Sequence, residues 1–354
     1  MVTFVLSIFS LIAIFYILAL VVENHFVPSL ENISQRLKLS SDISGATLMA
    51  IGSSAPELFV SFFALFRPSG EQALGAGTIV GSAIFNILVI IGASALYKKA
   101  KLTWQPVIRD LVFYSFTILL LLLTFSDGKI TFLDASLFVA LYGVYLLSFK
   151  QWRRLFPYEI IDTPFEDEVS VMSPRPKVLQ HIEHLLSRAF LNGKQIPQKH
   201  LYNFVLSVFY IAILSHFMVE SAVYTAQFLN ISSAVIGLTV LAAGTSIPDL
   251  LSSIHVAKRG RGDMAIANAV GSNIFDIAIG LGLPWLCVLL TKPMLAVATE
   301  NLLSSVFLLF ATVIALLFLL IVRRWHIGRN AGLVLIALYV LYVIYQLKAI
   351  HPAL

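Results

Sequence analysis

The chain has 354 residues, a formal charge of +5, 58% apolar and only 12% charged residues, and a mean hydropathy of +0.89. Soluble domains carry about a quarter charged residues, so this chain lacks the polar surface to cover itself in water and reads as an integral membrane protein. Its one cysteine, Cys287, excludes a disulfide framework, and its basic residues cluster between apolar runs, which points to membrane orientation and not to a nucleic-acid partner.

Apolar runs of about 20 residues, the length that spans a bilayer core as a helix, recur from end to end. In chain order they predict ten transmembrane helices, near 2–22, 41–66, 76–97, 109–125, 132–149, 203–224, 233–257, 264–291, 301–322 and 331–347, and hence an all-α polytopic membrane protein. No basic segment precedes the first run, and it is longer than a secretory signal core, so it is expected to stay as the first helix. Residues 150–201 form a longer polar segment, with an acidic patch (Glu159, Asp162, Glu166, Asp167, Glu168) and then an amphipathic stretch from Lys177 to Leu191. Lys and Arg divide twenty to four between alternate loops. That asymmetry predicts a cytoplasmic long loop and outward-facing termini in a cell membrane.

The chain also repeats itself. Residues 47–65, TLMAIGSSAPELFVSFFAL, align with 239–257, TVLAAGTSIPDLLSSIHVA, at a separation of 192; GSAIFN at 81–86 aligns with GSNIFD at 271–276, at a separation of 190. Five predicted helices fall in each half, an odd number, so the second copy enters the membrane upside down. The expected organisation is a first five-helix repeat at 1–149 (motif region 46–92), a cytoplasmic loop at 150–201, and a second repeat at 202–354 (motif region 236–286). Inverted repeats place a substrate site near the midplane, where the copies meet.

Both copies carry chemistry there. Gly52, Ser53, Ser54, Pro56 and Glu57 interrupt one apolar span, and Gly244, Thr245, Ser246, Pro248 and Asp249 interrupt its counterpart. Proline inside a helix removes a donor and frees the carbonyls of Gly52 and Gly244, with Ala50 and Ala242 close by; in lipid such backbone must find a partner or line a cavity. A carboxylate at a helix centre costs about 2.5–3.5 kcal/mol on insertion scales, so two of them in two copies of one motif imply a purpose. A hard cation supplies it: Ca²⁺ takes oxygen ligands from carboxylates and carbonyls, and Na⁺ also takes oxygen. The second motif pair adds Ser82 and Asn86, then Ser272, Asn273 and Asp276; within each block the serine and the last residue lie four apart, on one helix face. Asn86 against Asp276 makes the copies unequal and gives the site a third carboxylate. Three ionised carboxylates would balance one Ca²⁺ and one monovalent cation, whereas a protonated Asp276 would leave no such surplus.

GSSAPELF with GTIVGSAIFN, and AAGTSIPDL with DMAIANAVGSNIFD, resemble the two alpha repeats of the cation/Ca²⁺ exchanger superfamily. The run FVPSLENISQRLKLSSDISGATLMAIGSSAPELF, with Asp249 of SIPDL, Asp276 of GSNIFD and the following GLGLPWL, is most similar to the K⁺-dependent Na⁺/Ca²⁺ exchangers. The resemblance implies a five-plus-five inverted repeat with ions bound among spans 2, 3, 7 and 8. It also implies Glu57 and Asp249 as central Ca²⁺ ligands that touch Na⁺ too. Ser53, Ser54, Ser82, Thr245, Ser246 and Ser272 would be hydroxyl or carbonyl ligands, Ala50 and Ala242 would offer backbone oxygens to Na⁺, and Asn86 and Asp276 would flank the centre. Asp at position 276 goes with K⁺ dependence in that family. The implied activity is secondary active antiport of Na⁺ against Ca²⁺ with K⁺ by alternating access, spans 1 and 6 sliding past the core. K⁺-independent or H⁺/Ca²⁺ exchange stands as the alternative. Ca²⁺, Na⁺ and K⁺ would be cargo, no prosthetic group is expected, and the chain is not expected to be an enzyme. About fifty residues of cytoplasmic loop leave no room for the Ca²⁺-sensing β domains of some relatives.

Weaker signals remain. His216 and Glu220, four apart on the sixth span, can pair or relay a proton, though Glu220 and Glu23 read better as end residues reaching the interface. The acidic patch reads as a solvated loop face, and the Asn230-Ile-Ser232 sequon faces outward but hugs the membrane.

Overall fold

The computed structural model describes residues 2–36, 46–47, 50–67, 72–97, 100–158, 183–184, 187–191, 199–258, 260, 262–297 and 300–350. The acidic patch at 159–168 lies outside them. Among the described residues nine helices are long and apolar enough to cross a membrane. They are α1 (Phe4–Phe26), α3 (Ala73–Tyr97), α4 (Trp104–Phe125), α5 (Phe132–Leu155), α6 (Lys199–Phe228), α7 (Ser233–Lys258), α8 (Gly262–Leu289), α9 (Leu302–Val322) and α10 (Arg329–Gln346). The predicted span at 41–66 appears as the pair Ala50–Ser53 and Ala55–Ala64, here α2, and its first residues lie outside the described set.

One boundary needs correction. The first helix does not stop near residue 22: it passes through a π turn at Val22–Phe26 and runs on as the more polar helix Val27–Arg36. The described residues are mostly helical, as expected for an all-α protein, with two short ribbons added at the corners. Two-residue strands β1 (Ala100–Lys101) and β4 (His326–Ile327) pair antiparallel, as do β2 (Lys129–Ile130) and β3 (Leu295–Ala296). Each ribbon gains one more bond, Leu102 N–H to the Trp325 carbonyl at 2.8 Å and Val297 N–H to the Gly128 carbonyl at 3.0 Å. Tight corners between packed helices must satisfy their own N–H and C=O groups, and two corners lying side by side satisfy each other.

The repeat recurs in the backbone. α2 breaks at Ser54 (φ −90°, ψ 4°) and α7 at Ser246 (φ −83°, ψ 4°), 192 residues apart. π turns follow the same rule: 86–90 answers 276–281, and 46–47 falls opposite 237–241. Such turns insert an extra residue into the helix and often mark functional positions.

Packing separates two layers. The larger core joins α3, α4, α5, α8, α9 and α10 with faces of α2 and α7. A second core joins α1 and α6 with the opposite faces of α2 and α7, through residues such as Leu18, Phe26, Val60, Met218 and Leu241. The two broken helices therefore lie between the layers. Phe190, from the segment before α6, belongs to this second core and stacks on His25 at 3.6 Å.

Glycine permits the closest approaches. A Cβ on Gly81 of α3 would meet the Ala242 Cβ of α7 at 2.7 Å, and one on Gly271 of α8 would meet the Ala46 carbonyl oxygen of the second span at 2.8 Å. The Gly81 Cβ would also run into the Leu238 carbonyl, the repeat-related counterpart of the Gly271–Ala46 contact, and small residues of this kind let membrane helices bring their backbones together.

Candidate cation site

At each break proline ceases to be a helix interrupter. Pro56 and Pro248 fall in the first turn of the half-helices Ala55–Ala64 and Ile247–Lys258, where a missing N–H costs nothing. Glu57 and Asp249 follow at the third helical position, where the positive end of the helix dipole favours a carboxylate. This is the local reason the sequence places an acid directly after each proline.

Each carboxylate meets residues of the opposite copy, and Asp249 also meets residues of its own. Ser246 donates to Glu57 Oε1 at 3.2 Å, and Thr245 also faces Glu57. Asp249 receives Ser272 on Oδ1 at 3.1 Å and Asn86 Nδ2 on Oδ2 at 3.4 Å, with Ser53 and Asn268 facing it as well. Asn86 Nδ2 also donates to Asn273 Oδ1 at 2.9 Å, and Asn273 in turn donates to the Ala83 carbonyl at 3.1 Å and the Tyr114 hydroxyl at 3.0 Å. Asp276 is near enough to Glu57 and Asp249 to feel their charge, and Ser54 approaches it without forming a hydrogen bond of ordinary geometry.

Every residue singled out in the sequence is buried in this region: Ala50, Ser53, Ser54, Glu57, Ser82, Asn86, Ala242, Thr245, Ser246, Asp249, Ser272 and Asp276 are each 0% exposed. They are not equally poised. Ser82 turns its hydroxyl back to the Ile79 carbonyl at 2.9 Å. The Ala50 and Ala242 carbonyls already accept ordinary helical bonds from Ser54 N–H (3.0 Å) and Ser246 N–H (3.3 Å), and the Ala50 carbonyl also accepts the Ser53 hydroxyl at 3.4 Å. By contrast, among the described residues no hydrogen-bond donor reaches Glu57 Oε2, either Asp276 oxygen, Asn86 Oδ1, Asn268 Oδ1 or the Ser54 hydroxyl.

Buried acceptors without donors are expensive, and six such oxygens near the crossing of two helix breaks are of the chemical type that could hold a hard cation. Among the described residues no three carboxylate, histidine or cysteine side chains gather closely enough to hold a metal ion by themselves. Neutral hydroxyl and amide oxygens must therefore complete any shell, which suits Ca²⁺ or Na⁺ and not a soft metal.

Some participants were not anticipated. Asn268, which donates to Ser253 at 3.1 Å, lies four residues before Ser272 and eight before Asp276, a spacing that marks the same face. Tyr114 comes from α4, and no local pattern announces it. Arg109, one of the twenty Lys and Arg counted on the loop side although it also opens the predicted span 109–125, is instead buried within α4. There it bonds Asp110 at 2.8 Å and lies 3.8 Å from the Phe149 ring centroid, while Tyr145 donates to Asp110 at 3.0 Å. Near the far end of α6, Glu220 pairs with Arg67 and not with His216, which meets the Phe63 ring edge-on. In the sequon, Asn230 takes a left-handed backbone (φ 54°) and the Ser232 hydroxyl caps α7.

The chain has recognisable kin. The family model described as sodium/calcium exchanger protein matches residues 7–150 and 199–348. Mouse sodium/potassium/calcium exchanger 4 is 25% identical, over 97% of this chain and 81% of its own. Human sodium/potassium/calcium exchanger 5 is 29% identical, over 96% and 83%. Among solved structures, the sodium-calcium exchanger NCX_Mj soaked with 100 mM Na⁺ and 10 mM Sr²⁺ is similar at TM-score 0.60 and 26% identity, covering 97% of this chain and 99% of that one. These relatives are exchangers and not enzymes, and the match spans both halves of the sequence: the chain belongs to the sodium/calcium exchanger protein family.

Proposed function

We propose that the chain is a secondary active antiporter that exchanges Na⁺ for Ca²⁺, carrying K⁺ with Ca²⁺, by alternating access. The observation that carries this reading is the set of buried oxygens that no donor among the described residues reaches, on Ser54, Glu57, Asn86, Asn268 and Asp276, at the crossing of two broken helices. Glu57 and Asp249 would be the central ligands. Ser53, Ser54, Thr245, Ser246, Ser272 and Ser82 would supply neutral oxygens, with the Ala50 and Ala242 carbonyls and the flanking Asn86 and Asp276 in support.

The architecture behind the proposal is ten spans in two inverted repeats, 1–149 and 202–354, with a cytoplasmic loop at 150–201 between them. The paired breaks, π turns and glycine contacts at fixed separations of 190 and 192 support it, as does the twenty-to-four division of basic residues for orientation in a cell membrane. The separate core of α1 and α6 suits a layer that slides against the ion-binding helices.

K⁺ coupling rests on Asp276, the one carboxylate with no acidic counterpart in the other copy, and on the names of the exchanger relatives. The test is Ca²⁺ uptake into vesicles holding the purified chain, under Na⁺, K⁺ and pH gradients in turn. Uptake is expected to require the Na⁺ gradient and to rise with K⁺ on the Ca²⁺ side. Asp276→Asn is expected to weaken K⁺ activation at least about tenfold, a loss of about 1.4 kcal/mol, while Na⁺-driven Ca²⁺ uptake persists. Uptake that ignores K⁺ and survives without Na⁺ would reject this reading in favour of H⁺/Ca²⁺ exchange.

A further inference from the structure

The corner between α9 and α10 holds a cavity of about 480 Å³ that shares no lining residue with the carboxylate site and is lined by Arg323, Arg324, His326, Gly328, Arg329 and Asn330. Among the described residues no carboxylate lines it and none of the three arginines enters an ion pair. The corner is held open by its backbone. Arg324 (φ 51°) and Trp325 (φ 62°) are consecutive left-handed residues, a conformation that side-chain-bearing residues seldom adopt and that tends to persist at functional positions. Pairing of β4 with β1 fixes the turn against its neighbour.

The first turn of α10 opens into the same cavity. Gly328 has no side chain with which to cap the helix, and no acidic residue lies in the first turn. The corresponding corner of the other repeat, between α4 and α5, shows what an ordinary closure looks like. There Thr131 and Asp134 form a reciprocal capping box, with Thr131 N–H and hydroxyl donating to Asp134 Oδ2 at 2.8 and 2.6 Å. At one place in the fold, one copy supplies its own anion and the other surrounds an uncapped helix with cations.

We infer that Arg323, Arg324, Arg329 and the first turn of α10 form a binding site for the phosphate of an anionic phospholipid headgroup. Guanidinium forks and helix N-termini both recognise phosphate oxygens. The lipid source follows from the neighbours. Phe318, Ile321 and Val322 on α9, and Leu333 and Val334 on α10, are exposed apolar residues beside the cavity and place it at the edge of the hydrocarbon layer. In the sequence the corner also belongs to the set of alternate loops that holds most of the chain's Lys and Arg, the side on which anionic lipids concentrate if that side is cytoplasmic.

The test uses the full chain purified in detergent, with phosphatidylglycerol and phosphatidylcholine offered in equal amounts and retained lipid counted by native mass spectrometry. The unmodified protein is expected to retain phosphatidylglycerol preferentially. The triple substitution Arg323→Gln, Arg324→Gln, Arg329→Gln is expected to reduce that preference about a hundredfold. Removing an equal charge elsewhere on the same face, with Lys150→Gln, Arg153→Gln and Arg154→Gln, is expected to leave it nearly intact. Equal loss in both triple variants would overturn the site in favour of diffuse charge attraction. Displacement of phosphatidylglycerol by inorganic phosphate at equal concentration would overturn the lipid assignment. Should the first variant fold poorly, Arg323→Lys, Arg324→Lys, Arg329→Lys keeps the charge and removes the forked geometry; undiminished retention by that variant would overturn the forked-recognition account.

Discussion

Asp249→Asn is expected to abolish Na⁺-driven Ca²⁺ uptake while leaving the protein folded. The substitution keeps the size of the side chain and removes one charge. At an effective dielectric of about 20, a unit charge roughly 3 Å from a divalent cation contributes on the order of 10 kcal/mol of attraction before solvation is counted. If only a quarter of that survives as differential binding, affinity still falls about a hundredfold. Folding moves the other way, because a buried carboxylate costs more to desolvate than an amide and the bonds Asp249 receives from Ser272 and Asn86 are long, at 3.1 and 3.4 Å. Thermal unfolding of the purified variant therefore serves as the control, and full Ca²⁺ uptake by the folded variant would sink the site assignment. The serines give a graded comparison. Ser272→Ala removes a donor to Asp249 and is expected to impair uptake clearly, whereas Ser82→Ala, whose hydroxyl already bonds the Ile79 carbonyl, is expected to cost much less.

Much of this site was legible from the sequence because its parts are local. A proline one residue ahead of an acid, inside an apolar run, specifies a break and a charge at one depth, and the duplication specifies that there are two. Position along a helix face also links Ser272 to Asp276. The partners across the fold were not legible: which hydroxyl faces which carboxylate depends on how α2 crosses α7, and Tyr114 arrives from α4. Composition misplaced Arg109, since an arginine beside an apolar run reads as a loop cation, and only packing reveals Asp110, Tyr145 and Phe149 around it. The short ribbons escaped for a similar reason. Two residues per strand carry no alternation to detect, and the pairing is imposed by neighbouring corners. The first helix overran its predicted end because a π turn carries it past Glu23, where polarity alone suggested a stop.

Gly81→Val is expected to disrupt both stability and transport, and Gly143→Ala to disrupt neither. Gly81 sits one residue before Ser82, where α3 crosses α7, and any Cβ there would come within 2.7 Å of the Ala242 Cβ and against the Leu238 backbone. Backbone cannot rotate out of the way as a flexible side chain can, so the helices must part, and overpacking of this kind costs about 1–3 kcal/mol. Parting them also carries Asn86 away from Asp249, a hydrogen bond already long at 3.4 Å, so uptake is expected to fall by more than the loss of folded protein explains. Gly143, on α5, has nothing within 4 Å of its added Cβ, and alanine there gains helix propensity of up to about 1 kcal/mol. The measurement is the unfolding temperature of each purified variant beside its Ca²⁺ uptake per folded molecule. The Gly271 contact with Ala46 is the repeat-related counterpart, so Gly271→Val is expected to reproduce the Gly81→Val defect. A wild-type melting curve and full uptake for Gly81→Val would show that close backbone approach is not what holds α3 against α7.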